Sequence, residues 1–194
     1  MRVFGIDPGS TRTGYGCVET DGRRHVLVAC GAIAPPARAP FCERLHVIHV
    51  DLCRLLRESR PDAVAIENLF HASNVRSALK LGHARGVAML AAVQAGVPVV
   101  EYSPSEIKRA VVGYGRAEKS QVQQMIKLLL GLDRAPSPHD AADALAVALC
   151  HVHRLPGLLG PAAAVRRSPA PTSWRAYRPP AVGRPPVRRG STRP

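Results

Sequence analysis

The sequence has no CxxC cysteine pair, no apolar run of membrane-spanning length and few aromatic residues. Its five cysteines, Cys17, Cys30, Cys42, Cys53 and Cys150, are scattered and odd in number, which argues against a disulfide framework and a structural zinc ribbon. They read as small core residues of a reducing compartment. The longest apolar stretch, residues 86–100, is broken by Gln94 and Pro98 and is shorter than the ~20 residues a bilayer requires. No charged start leads into a long apolar segment, so no export signal is read, and a cytoplasmic location away from membranes is expected. Lysine is scarce as well: the four are Lys80, Lys108, Lys119 and Lys127. Acid is missing altogether from residues 151–194, which carry nine arginines and no lysine.

That last absence places the charge. The net charge of +13 divides into +9 on residues 151–194 and +4 on everything before them. Half of the 18 prolines also lie between Pro156 and Pro194. Such a segment cannot bury enough apolar surface to offset its ordering entropy. The expected organisation is one folded domain, residues 1–154, followed by a disordered Arg/Pro-rich tail, residues 155–194. A basic excess suits a polyanionic partner, nucleic acid first. The tail reads equally as a sequence-independent electrostatic tether and as a neutral extension.

The folded part opens with MRVFGIDPGSTRTGYG. Val3 to Ile6 is a short apolar run that stops at Asp7 and the turn residues Pro8, Gly9 and Ser10, as a buried strand does. Further strands are expected after Gly14 and over residues 25–33, making an antiparallel meander. Leu45, Ile48, Leu52, Leu55 and Leu56 recur at helical spacing up to Pro61. Residues 63–66 form another buried strand ending in Glu67. Asn74 is the expected cap of a long Ala/Gly-rich helix to about Gln94, and residues 97–102 a fifth strand. The small residues of that helix suit close approach of another backbone, within the core or in a dimer. Helices are expected over 104–111, 120–130 and 137–153. Strands first, then strands alternating with helices, give an α/β fold with a mixed five-stranded sheet flanked by helices on both sides.

Two strands thus end in acids, Asp7 and Glu67, and two more acids, Asp140 and Asp143, lie three apart on one helix face. A turn cap explains Asp7, a solvated strand end explains Glu67, and a helix N-terminus explains Asp140. Asp143 is left over, because a second acid on the same turn repels the first. A divalent cation relieves that repulsion. With oxygen donors alone, Mg²⁺ is favoured, with Mn²⁺ as substitute, and two ions can hydrolyse a phosphodiester. His139, four residues before Asp143, is a further candidate ligand or proton carrier.

The stretches GIDPGSTRTGYG, AIENLF, SALKLGHARGVA, VVGYGRAEKSQV and DAADALAVAL, in this order over residues 1 to about 153, resemble RuvC-type Holliday-junction resolvases. The resemblance implies a ribonuclease-H-like fold and a homodimer that nicks a four-way DNA junction symmetrically in recombination and repair. It implies Asp7, Glu67, Asp140 and Asp143 as the metal-binding catalytic set with two Mg²⁺ per site, and the RuvAB branch-migration complex as partner. Some members carry a histidine in the last-helix motif, which keeps His139 in play.

Phe70 follows Glu67 in a loop and suits stacking on an unpaired base, or else pins the loop to the core. Arg76, Lys80 and Arg85 lie along the Ala/Gly-rich helix, and Lys108, Arg109, Arg116 and Lys119 flank GYGR. They resemble the family's phosphate-contacting positions, with Lys119 also placed to neutralise charge in the transition state. Gly113 and Gly115 are expected to let this loop approach a nucleic-acid backbone. Three other readings remain: an RNA-processing nuclease of the same fold, a junction-binding protein without cleavage, and an actin-like ATPase or sugar kinase. The last lacks a second phosphate loop. The intact acid set favours cleavage.

Overall fold

The computed structural model describes residues 1–68 and 74–155. Five strands form one sheet: β1 Arg2–Asp7, β2 Thr13–Thr20, β3 His25–Ile33, β4 Ala63–Glu67 and β5 Val99–Tyr102. Their order is β3-β2-β1-β4-β5. The meander β1-β2-β3 is antiparallel, whereas β4 and β5 join parallel to β1 and to each other. The sheet is therefore mixed, as expected, and β1 is its central strand.

Helices cover both faces. α1 Phe41–Ser59 and α2 Val75–Gln94 cover one, against Phe4, Ile6, Cys17, Val64 and Ile66. The other carries α3 Pro104–Val112, α4 Lys119–Leu129 and α5 His139–Arg154, against Val3, Val18, Ala65 and Tyr102. Strand side chains alternate between faces. Val3, Gly5 and Asp7 therefore share the α5 face of β1, and Ala65 and Glu67 share the same face of β4.

Local chemistry sets the boundaries. Asn74 caps α2, its side chain accepting the Ser77 N–H at 2.8 Å. Ser103 and Glu106 form a reciprocal capping box at the start of α3. Three expected starts move, the first being β5, which begins at Val99 instead of residue 97. Pro138 adopts an extended conformation (ψ 176°) as N-cap, so α5 begins at His139 instead of residue 137. α4 begins at Lys119, which brings that lysine into a helix instead of the preceding loop.

β1 and β2 carry glycines for one reason: α5 lies almost on the sheet backbone. A Cβ on Gly5 would stand 2.0 Å from the Ala144 carbonyl oxygen, and one on Gly14 would stand 2.0 Å from that of Asp140. Alanine at 141, 144 and 148 completes the fit from the helix side, all three fully buried. Among the described residues no helix is long and apolar enough to cross a membrane. The expected tail and Phe70 lie outside the described residues.

Candidate active site

Asp7 and Glu67 end adjacent parallel strands. Ile6 pairs with Ile66, so the two acids leave the ladder at the same edge and on the same face. Gly14, opposite Asp7 on β2, lets the start of α5 settle over that edge, with Asp140 in its first turn and Asp143 three residues on. Four carboxylates from three distant parts of the chain are thereby drawn together, with Lys119 of α4 as fifth member. Its Nζ donates to Asp143 Oδ2 at 2.5 Å.

The electrostatics reflect this crowding. Burial, then the charges of Asp143 and Asp140, push the Asp7 carboxyl up to about 6 against the pull of Lys119. Burial, then the charges of Asp7 and Asp143, push the Glu67 carboxyl up to about 8 against the pull of Lys119. The Lys119 ammonium is held above its usual range by its hydrogen bond to Asp143 and by the charges of Asp7 and Asp140. Positive charge is in demand here, and one ammonium does not meet it.

The loop that leaves Asp7 is clamped. Thr13, fully buried, donates its hydroxyl to the Gly9 carbonyl at 2.8 Å, and Arg44 of α1 donates to the Ser10 carbonyl. This loop presents Arg12, whose Nη1 lies 3.5 Å from Asp140 Oδ2. Sequence reasoning missed Arg12; its signal was a lone arginine between an active-site acid and Gly14. It also missed Asn68, directly after Glu67, whose buried Oδ1 has no hydrogen-bond partner among the described residues.

Other expected site residues fall elsewhere. His139 Nδ1 accepts a hydrogen bond from Gln123 Nε2 at 2.7 Å, which turns its ring toward α4. Lys80 sits 5.9 Å from the centre of the Phe41 ring, bracing α2 on α1. Arg85 pairs with Glu101 of β5, which occupies it within the fold. Arg76, Arg109 and Arg116 are exposed, and Lys108 is half-buried on α3. The glycines of GYGR serve the fold first. Gly113 ends α3 at φ 97°, a left-handed conformation that favours glycine, and a Cβ on Gly115 would stand 2.5 Å from Ser105 Oγ.

Among the described residues no group of three or more His, Cys, Asp or Glu is already arranged as a metal cage. The donor set nevertheless fits hard divalent cations: it is all oxygen, partly buried, and short of positive charge. Asp7, Glu67, Asp140 and Asp143 are the residues that would hold such ions.

A family model described as crossover junction endodeoxyribonuclease RuvC matches residues 3–151. The protein of that name from Trichlorobacter lovleyi is 51% identical over 179 residues, 92% of this chain and all of the relative. Its counterpart from Koribacter versatilis is 54% identical over 155 residues, covering 79% of this chain and 93% of the relative. The structure of T. thermophilus RuvC in complex with Holliday junction substrate superposes with a TM-score of 0.76 at 40% identity. It covers 79% of this chain and 93% of that one.

Proposed function

The chain belongs to the RuvC family of crossover junction endodeoxyribonucleases, and from that premise we propose that it resolves four-way DNA junctions with the carboxylate cluster as its catalytic centre. The observation that carries this reading is the convergence of Asp7, Glu67, Asp140 and Asp143 around a single ammonium. Bound Mg²⁺ or Mn²⁺, two ions in our reading, would supply an activated water and stabilise the leaving oxygen of the phosphodiester.

The chain's own groups do the rest. β1 holds Asp7 rigidly, the Thr13 clamp fixes the loop beside it, and Lys119 and Arg12 set positive charge against the acids where a phosphate must enter. Bound cations would hold Glu67 as the ionised carboxylate, since only that form coordinates. Lys108, Arg109 and Arg116 are the cations left for phosphates, joined by Arg76 at the head of α2 and by Lys80, whose ammonium also lies over the Phe41 ring. Phe70 retains its proposed stacking role at the junction centre, and His139 that of an outer proton carrier.

Symmetric nicking needs two such centres, and α2 offers the surface for a homodimer. Leu79 and Leu90 are 59% and 50% exposed on a groove formed with Leu45, Gly82 and Gly86. Among the described residues, a Cβ on Gly82 or Gly86 meets nothing within 4 Å, which leaves room there for a second copy of the chain. We assign residues 1–154 as the nuclease domain and 155–194 as a basic tether, in a cytoplasmic enzyme that works beside RuvAB.

Cleavage of a synthetic four-way junction and of a linear duplex of the same sequence, each with Mg²⁺ or EDTA, tests this. Paired nicks in opposing strands of the junction alone, and only with metal, are expected. Equal cutting of duplex or RNA would move the chain to another activity of the fold, and binding without cleavage would leave a junction-recognition protein.

A further inference from the structure

Away from the carboxylates, the end of α5 meets the start of the edge strand β3 through two half-buried histidines. His25 Nε2 and His153 Nε2 face each other at 3.4 Å, with ring centroids 5.3 Å apart and planes inclined by 55°. The surrounding hydrogen bonds assign the protons. His153 Nδ1 lies 2.9 Å from the Ala110 carbonyl of α3, which can only accept, so Nδ1 carries the hydrogen. Thr20 Oγ1 donates to the Arg24 carbonyl at 3.0 Å and accepts from the Gly22 N–H at 3.0 Å. Its single hydrogen is thus spent, and His25 Nδ1, 2.9 Å away, must donate to it.

With that assignment both Nε2 atoms are unprotonated and stand 3.4 Å apart with no hydrogen between them. In that arrangement the pair repels unless a cation joins it. Zinc–imidazole bonds of about 2.0–2.1 Å at a tetrahedral angle place two ligand nitrogens about 3.3–3.4 Å apart, the spacing found here. Each ring also has the outer partner that metal-bound histidines use, a backbone carbonyl for His153 and a buried hydroxyl for His25. Asp21 Oδ1 accepts from the backbone N–H groups of Arg23 and Arg24, both at 2.8 Å, and fixes the turn that delivers His25.

We propose that His25 and His153 form a second metal site, separate from the catalytic carboxylates, for a late first-row divalent cation of the zinc class. Imidazole nitrogen selects such ions over Mg²⁺, whereas the oxygen-only cluster does the reverse. Two waters complete the coordination, since no third His, Cys, Asp or Glu joins a metal group among the described residues. The ion staples the edge strand to the last turn of α5, immediately before residue 155, where the basic segment begins.

Zinc uptake by the full-length, chelator-treated protein in excess Mg²⁺ tests the site. The expected result is one Zn²⁺ per chain, lost in the His25→Gln/His153→Gln double variant and retained in Asp143→Asn. Melting temperature rises by about 5–10 °C at a hundredfold excess over Kd in the parent, and not in the double variant. Should that variant fold poorly, ring ¹⁵N spectra of the parent decide: zinc must shift the Nε2 resonances of His25 and His153. Uptake that survives loss of both histidines but vanishes in Asp143→Asn would place the ion on the carboxylates and overturn the proposal. Unmoved Nε2 resonances would also overturn it, leaving the pair to share a proton only.

Discussion

α5 and α2 are the two alanine-rich helices of this fold, and they use their small residues in opposite ways. α5 spends them inward. Ala141, Ala144 and Ala148 are fully buried against a glycine track on β1 and β2. α2 buries Ala84, Ala88 and Ala91 against the sheet but keeps Gly82 and Gly86 on its outer side, beside exposed Leu79 and Leu90. Small residues record close approach; only the face they occupy tells whether the partner is the same chain. On α5 the approach delivers Asp140 and Asp143 to Asp7. On α2 it prepares a surface.

The contrast breaks most completely at Gly5. Gly5→Val would drive side-chain carbon into the Ala144 carbonyl, a backbone atom that cannot move without lifting α5 off the sheet. The expected cost is about 3 kcal/mol or more, read by denaturant unfolding, with cleavage lost because the acids separate. A variant that folded normally would show that α5 does not need this track.

Asp7→Asn tests the same helix–sheet junction without disturbing packing. Cleavage should fall by about 10²–10³-fold or more, while junction affinity by gel shift stays nearly constant, because arginines and lysines supply affinity and carboxylates supply chemistry. Loss of both together would make Asp7 a structural acid. On the other helix, Leu79→Glu places a charge in the exposed groove. It should leave unfolding of the monomer almost unchanged and raise the dimer dissociation constant by about 30-fold, measured by sedimentation. Unaltered association would assign the groove to another partner.

The far end of α5 supplies a smaller, pH-dependent test. Glu106 both caps α3 and pairs with Arg154 of α5 at 2.8 Å. Its carboxyl is held below the usual range, chiefly by the Ser103 backbone N–H, with the Ser103 hydroxyl and Arg154 adding to it. A depressed folded-state value gives stability that is present above the unfolded value of 4.5 and lost as pH falls through the folded one. Glu106→Gln keeps the cap hydrogen bond but loses the charge, so it should cost about 0.3–1 kcal/mol at neutral pH, and the difference from the parent should shrink below pH 4.5.

Much of this was legible in the sequence because its signals are local. Strands that stop at an acid, apolar spacing up to Pro61, and the cap at Asn74 depend on neighbours in the chain, and the sheet and five helices followed from them. The convergence of Asp7, Glu67, Asp140 and Asp143 was inferred from strand ends and one helix face. What the sequence hid depends on distant partners. Gly5 and Gly14 read as turn or strand residues until α5 lay on them. Gly113 and Gly115 read as a nucleic-acid approach, yet one ends a helix and the other makes room for Ser105. Arg85 looked like a phosphate contact until Glu101 appeared beside it, and Arg12 showed itself only when Asp140 arrived from 128 residues away.

Gly82→Ala is the most discriminating of the small changes, because the two meanings of a small residue predict opposite signs. Among the described residues the added methyl meets nothing within 4 Å, and glycine inside a helix costs about 0.5–1 kcal/mol relative to alanine. At protein concentrations below the dimer dissociation constant, Gly82→Ala should therefore stabilise folding by about that amount. Above it, where a second copy closes on the groove, the methyl stands between two backbones and the gain should shrink or reverse. Thermal unfolding across a dilution series separates the two contributions. A gain that is the same at every concentration would mean that no partner chain approaches Gly82, and the outward glycines of α2 would then need an explanation other than dimerisation.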